Sequence, residues 1–289
     1  FEAELAPLLA LQQARGYSVR VLRTDAIYAA RSHHQPDPAA LREVVAQIAP
    51  RFLLLVGGDS YDYDDHLGLG SQSFLPTFYR PTSAFVRFAP TDLPFVDQNA
   101  DGAPERAIGR LPVRTVDEAR RLVGSILARD SASSSTRYFA TAGNSGPGEY
   151  FGVHSRSLLS YLRQGQNPDF ALADEVGLSA ARAAATAALA GAADWINYLG
   201  HSSPNRWAFQ NLLDTSQLAG INRTGAPAVV AQWGCWNNYF VMPNQDTMSQ
   251  ALLLRPNTLA SAVIGATALA EDSSHLALGL RFYDLVEDG

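Results

Sequence analysis

Apolar positions recur at helical spacing through residues 2–15 and stop at Gly16, a residue that commonly ends helices because it adopts left-handed backbone freely. YSVRVLR (17–23) then alternates with the two-residue period of a strand. DPAALREVVAQIAP (37–50) predicts a helix with Asp37 at its cap and Pro38 in its first turn. RFLLLVGG (51–58) is a continuous apolar run, as in a parallel strand covered on both faces. YDYDDHLGLG (61–70) and the Pro-, Tyr- and Phe-rich stretch after it predict long loops with a hairpin. RAIGRLPV (106–113) reads as a strand, and TVDEARRLVGSILARD (115–130) as a helix with an acidic first turn. SASSST (131–136) breaks the pattern and predicts a junction between an N-terminal subdomain, 1–130, and a second, 137–289.

The second half restarts the alternation. Strands are expected near 137–142, 195–200, 226–233 and 259–265, and helices near 151–163, 179–191, 246–254 and 274–286. Helix and strand taking turns in this way make an α/β layer structure.

Composition narrows the function. At 289 residues, with 47% hydrophobic and 17% charged, the chain buries a sizeable core and is not disordered. A net charge of -6 with no basic face argues against a nucleic-acid partner. No apolar run reaches the roughly 18 residues of a membrane helix. The sequence opens at Phe1 with neither methionine nor signal peptide, as expected of a fragment, a processed form or a trimmed chain. The single cysteine, Cys235, excludes an intrachain disulfide and a thiolate zinc cluster.

Placement makes that cysteine a candidate for chemistry. WINYLGHSSPNRW sets His201 just past one expected strand, and PAVVAQWGCW sets Cys235 just past another. Carboxyl ends of parallel strands are where such sheets bind ligands. A thiol and an imidazole on one rim are the parts a cysteine protease needs, nucleophile and proton carrier. Gly200 and Gly234 suit tight turns after strands. The alternative for Cys235 is a small buried hydrophobe, and for His201 a loop residue.

Four segments resemble the gingipain-like cysteine peptidases of clan CD: RFLLLVGGDSYDY (51–63), DQNADGAPERAIGRLPVRTVDEARRLV (97–123), INYLGHSSPNRW (196–207), and APAVVAQWGCWNNYF (226–240) with the apolar segment to Ala270. The resemblance implies a caspase-like fold, with mostly parallel sheets flanked by helices and two α/β subdomains side by side, the second being catalytic. It implies a cysteine endopeptidase acting on protein or peptide, with Cys235 as nucleophile, His201 as general base and acid, and oxyanion donors at the backbone of Cys235 and Ser202. It also implies a secreted or cell-surface setting and no organic cofactor. Gingipains add an acidic residue that orients the histidine, for which Glu149 is the candidate. Ser202 stands where the family has glycine, and Gly-Cys-Trp where it commonly has Ser-Cys-Gly. No residue matches the family's acidic specificity residue, so cleavage after Arg or Lys is not implied. The rival reading is a catalytically silent caspase-fold binding or scaffold domain, and a calcium-dependent adhesion module is a third.

DQNADGAPE (97–105) offers Asp97, Asn99, Asp101 and Glu105 as oxygen ligands for a structural calcium. Ile108 in the twelfth position excludes an EF-hand, and a turn capped by its own side chains is the alternative. The acidic cluster Asp59, Asp62, Asp64, Asp65 and His66 reads as a solvated loop rather than a second cation site.

Overall fold

The computed structural model describes residues 1–132, 136–162 and 166–288. They form two compact units, one of residues 1–123 and 240–244, the other of 124–239 and 245–289. The expected junction at 131–136 includes residues 133–135, which lie outside the described residues.

The first unit contains α1 (Glu2–Ala14), α2 (Thr24–Arg31), α3 (Pro38–Ile48), β1 (Phe52–Val56), β2 (Phe78–Arg80), β3 (Ala89–Thr91) and β4 (Ala107–Leu111). The chain leaves it along α4 (Val116–Asp130). Asp37 caps α3 by accepting from the Ala39 N–H at 2.8 Å, with Pro38 opening the helix where its missing N–H costs nothing. β1 pairs in parallel with β4, and β2 with β3 as a hairpin. Arg110, on β4, is 6% exposed and binds both Asp92 oxygens and the carbonyls of Gly57 and Leu75. The Ile-Gly-Arg motif is therefore a structural tie. Residues 17–23 form no strand, although Tyr17 meets Phe52 edge-on. Alternation makes a segment extended, but only hydrogen bonds to a neighbouring chain make it a strand.

The second unit holds β5 (Tyr138–Ala142), α5 (Phe151–Leu159), β6 (Asp169–Leu172), α6 (Ala173–Val176), α7 (Leu178–Ala187) and β7 (Trp195–Leu199). After the short β8 (Ser202–Ser203), β9 (Arg206–Trp207) and β10 (Leu213–Asp214) come α8 (Thr215–Leu218), β11 (Ala228–Trp233), α9 (Met248–Leu254), β12 (Ala260–Gly265) and α10 (Asp272–Asp288). Its five-stranded sheet runs β6-β5-β7-β11-β12, all parallel. Chain order therefore reverses between β5 and β7, and the crevice outside their carboxyl ends is where such sheets place a ligand site.

One sheet face, with Ala140, Leu199, Ala231 and Trp233, packs against Phe151 and Leu158 of α5 and Tyr283 of α10. Because side chains alternate along a strand, Ile196, Tyr198 and Gln232 point to the other face. There the buried Gln232 accepts from the Trp207 indole at 2.8 Å and donates to Ser249 at 2.6 Å. Asn197 accepts from the Trp233 indole and the Tyr283 hydroxyl. Gln232 and Asn197 are thus paired, as burial requires.

Asp194, just before β7, gathers Arg129 at 3.1 Å and Arg137 at 2.9 Å. Partial burial pushes its carboxyl up, but hydrogen bonds from the Arg137 side chain and backbone and from Arg129 more than offset this and hold it at about 2. A depressed carboxyl pKa stabilises the fold above the unfolded-state value and loses that contribution as pH falls through the folded one. Asp194→Asn is expected to cost ~2 kcal/mol in urea unfolding at pH 7. The gap to the parent should close as pH falls from roughly 4 toward 2.

Candidate active site

β7 and β11 end level with one another, Leu199 opposite Trp233, and the Gly200 N–H donates to the Trp233 carbonyl at 3.1 Å. His201 and Cys235 each follow two residues beyond their strand, so parallel pairing brings them to the same sheet edge. The Ser202 hydroxyl donates to the Cys235 carbonyl at 2.6 Å and ties the two turns together. That approach leaves no room for a side chain at 234: a Cβ there would collide with Ser202 Oγ and stand 2.8 Å from the Gly200 carbonyl. Gly200 has φ +150°, and a Cβ would lie 3.0 Å from both the Gly143 N and the Tyr198 hydroxyl.

The imidazole of His201 is held on several sides. Its Nε2 lies 2.7 Å from Glu149 Oε1, the carboxylate arriving from the turn after β5. The other Glu149 oxygen accepts from the Gly146 N–H at 2.6 Å, which fixes the carboxylate. Phe151 meets the ring edge-on at 5.1 Å and 83°. Phe209 stacks on it at 4.4 Å and 15°. Below, the fully buried Tyr198 donates its hydroxyl to the His201 carbonyl and accepts from the Ala208 N–H at 2.8 Å. Burial pushes that phenol well above its ordinary range, so it stays a neutral donor.

Cys235 is half-buried, and its thiol donates to the Ala270 carbonyl at 3.5 Å rather than to His201. Its own N–H has no acceptor among the described residues. Ser202 takes its place without a left-handed backbone, so serine there carries no φ strain. Trp233 is core, while Trp236 is half-buried on the turn.

Carboxylate contact at Nε2 favours the neutral tautomer protonated there and leaves Nδ1 as the basic nitrogen. A base oriented by an acid, a thiol on the same edge and an unpaired N–H beside the thiol are the parts of acyl transfer.

Elsewhere, Asp97, Asp101 and Glu105 bring one oxygen each within 4.8 Å of the others. Asn99 is hydrogen bonded to Asp101, Asp97 accepts from the N–H groups of Asp101 and Gly102, and Glu105 from that of Gln98. The loop at 59–66 is solvated at Asp64 and His66, as expected, but not at Asp59 and Asp62. Asp59 and Asp62 are each 6% exposed and accept from Ser73, Thr77, His66 and Leu67, so they organise the turn from inside. Tyr198, Phe151 and Phe209 escape sequence reasoning, because an aromatic near a histidine has no motif.

A model described as peptidase family C25 matches residues 1–289. The crystal structure of gingipain R, an Arg-specific cysteine proteinase, is similar with a TM-score of 0.78 and 15% identity, covering 99% of this chain and 65% of that one. A second solved structure, described as a protease, has a TM-score of 0.72 and 17% identity and covers 97% of this chain and 60% of its own. No curated protein matches by sequence. At these identities the likeness is one of fold, mixed α/β with a central parallel sheet flanked by helices, the caspase-like arrangement. The chain spans less than two thirds of the length of either structure.

Proposed function

Since the chain belongs to peptidase family C25, we propose that it is a cysteine endopeptidase whose nucleophile is Cys235 and whose base and acid is His201. The observation that carries this reading is the 2.7 Å contact of Glu149 with His201 Nε2, on the edge where Cys235 also emerges. His201 Nδ1 takes the thiol proton, and the thiolate attacks the substrate carbonyl. The oxyanion is received by the N–H groups of Cys235 and Ser202, each such donor being worth about 2.7–4 kcal/mol to a transition state. The imidazolium then protonates the leaving amine, which breaks the C–N bond and leaves a thioester. His201 next draws a proton from water, whose oxygen displaces the thiolate and frees the acid.

Substrates on this reading are proteins or peptides. Action outside the cell or at its surface accompanies the resemblance, and among the described residues no helix is long and apolar enough to cross a membrane. Arg specificity is a property of gingipain R, and profiling on a peptide library reads this chain's own preference. Library cleavage that stops when Cys235 is alkylated supports the proposal, whereas cleavage that survives alkylation overturns it. A silent scaffold is the second reading, favoured by the thiol's bond to Ala270 in place of His201.

Asp97, Asp101 and Glu105 fit calcium in ligand type, since hard cations take carboxylate oxygens. We assign them a structural ion. The prediction is a rise of several degrees in melting temperature with millimolar calcium, reversed by chelator. Equal melting in both identifies a turn closed by its own hydrogen bonds.

A further inference from the structure

Phe209 is 64% exposed, and an exposed phenylalanine gains little from burial. Its ring nevertheless lies over the imidazole of His201, near-parallel at 15° with 4.4 Å between centroids. The backbone is arranged to keep it there. Ala208, directly before it, has φ 60°, uncommon for a residue with a Cβ. The Ala208 N–H is shared by the His201 carbonyl and the Tyr198 hydroxyl, each at 2.8 Å. Ala208 itself is 1% exposed, and a Cβ on Gly143 would come within 3.3 Å of its own. One tyrosine hydroxyl therefore pins both ends of the segment 201–208, and Phe209 emerges from the locked end onto the histidine that begins it.

We propose that Phe209 is a positioning residue for His201, its ring fixing the imidazole plane so that Nε2 stays on Glu149 while Nδ1 stays available as base. Glu149 fixes one edge of the ring and Phe151 meets it edge-on. Neither prevents rotation about the line from Cβ to the Nε2 contact as a flat surface laid on the ring does. The aromatic face also stabilises the imidazolium formed in each half-reaction, through the attraction of a cation to a ring's electron-rich face. Among the described residues Glu149 is the charged group paired with His201, and Phe209 adds no second charge.

This inference rests on the peptidase reading, and its test separates the two. Phe209→Ala should lower kcat by roughly tenfold with KM within about twofold. Phe209→Tyr should restore the parent rate and Phe209→Leu should not, because leucine fills space without an aromatic face. Exposure of the side chain makes the fold indifferent to all three, so unchanged melting accompanies each. Parent kcat in the alanine variant, or full rescue by leucine, overturns the proposal. A second arm needs no cleavage: two-bond proton–nitrogen spectra of the His201 ring should show carbon-bound protons shifted upfield in the parent and returned downfield in Phe209→Ala. Ring protons that do not move overturn the stacking even if the parent cleaves nothing, and Cys235→Ala reports on the peptidase reading alone.

Discussion

Cys235→Ala is expected to lower peptide-bond cleavage by about 10⁴-fold or more while the protein stays folded, since removal of a covalent nucleophile ends the acyl pathway and leaves only binding and oxyanion effects. The thiol is half-buried and among the described residues makes one weak hydrogen bond, to Ala270, so its loss should change unfolding free energy by less than about 1 kcal/mol. Combining it with His201→Ala should cost little more than either change alone, because the two act as one unit. Steady-state cleavage of a peptide mixture, with a melting curve for each variant, reads both parts. Parent-like cleavage by folded Cys235→Ala would remove the nucleophile from the account.

Glu149→Gln should be the second largest effect, a kcat loss of roughly 10²- to 10⁴-fold with the geometry preserved, by analogy with the loss when a triad carboxylate becomes an amide. Glu149 accepts twice, from His201 Nε2–H and from the Gly146 N–H. Glutamine has one acceptor oxygen and one amide donor. If its oxygen keeps Gly146, the NH₂ faces Nε2 and forces the tautomer protonated at Nδ1, the nitrogen required as base. If it turns the other way, the NH₂ confronts the Gly146 N–H and the turn after β5 loses its anchor. Steric fit is retained in both cases, so a large kcat loss with intact melting isolates the tautomer. A variant with full kcat would show that the carboxylate contact is ornamental.

How much of this was legible follows from what a sequence encodes locally. Strands near 195–200 and 226–233 show as apolar runs, and parallel pairing converts their common ends into one edge. The helix opening at Pro38 shows because its cap chemistry is local. Residues 17–23 read as a strand because alternation is local, but the pairing that makes a strand is not. β6 is too short, at four residues, to stand out from its flanks, and α2 hides before a run of histidines and prolines. Asp59 and Asp62 look solvated by composition, and only the folded loop shows backbone N–H groups turned toward them. Glu149 could be suggested from the resemblance alone. Its contact with His201 spans 52 residues and depends on the reversal of chain order between β5 and β7. Phe209 gives no signal, because its ring matters through a left-handed alanine and a shared N–H that no spacing encodes.

Alkylation of the lone thiol by iodoacetamide, followed by intact mass in the parent and in His201→Ala at mildly acidic pH, tests the coupling of Cys235 to His201 most directly. With a single cysteine, one added group per chain reports one residue. The dyad requires the parent to react faster by about tenfold or more, since the thiolate is the reactive form and the imidazole generates it. Equal rates in the two proteins would contradict it.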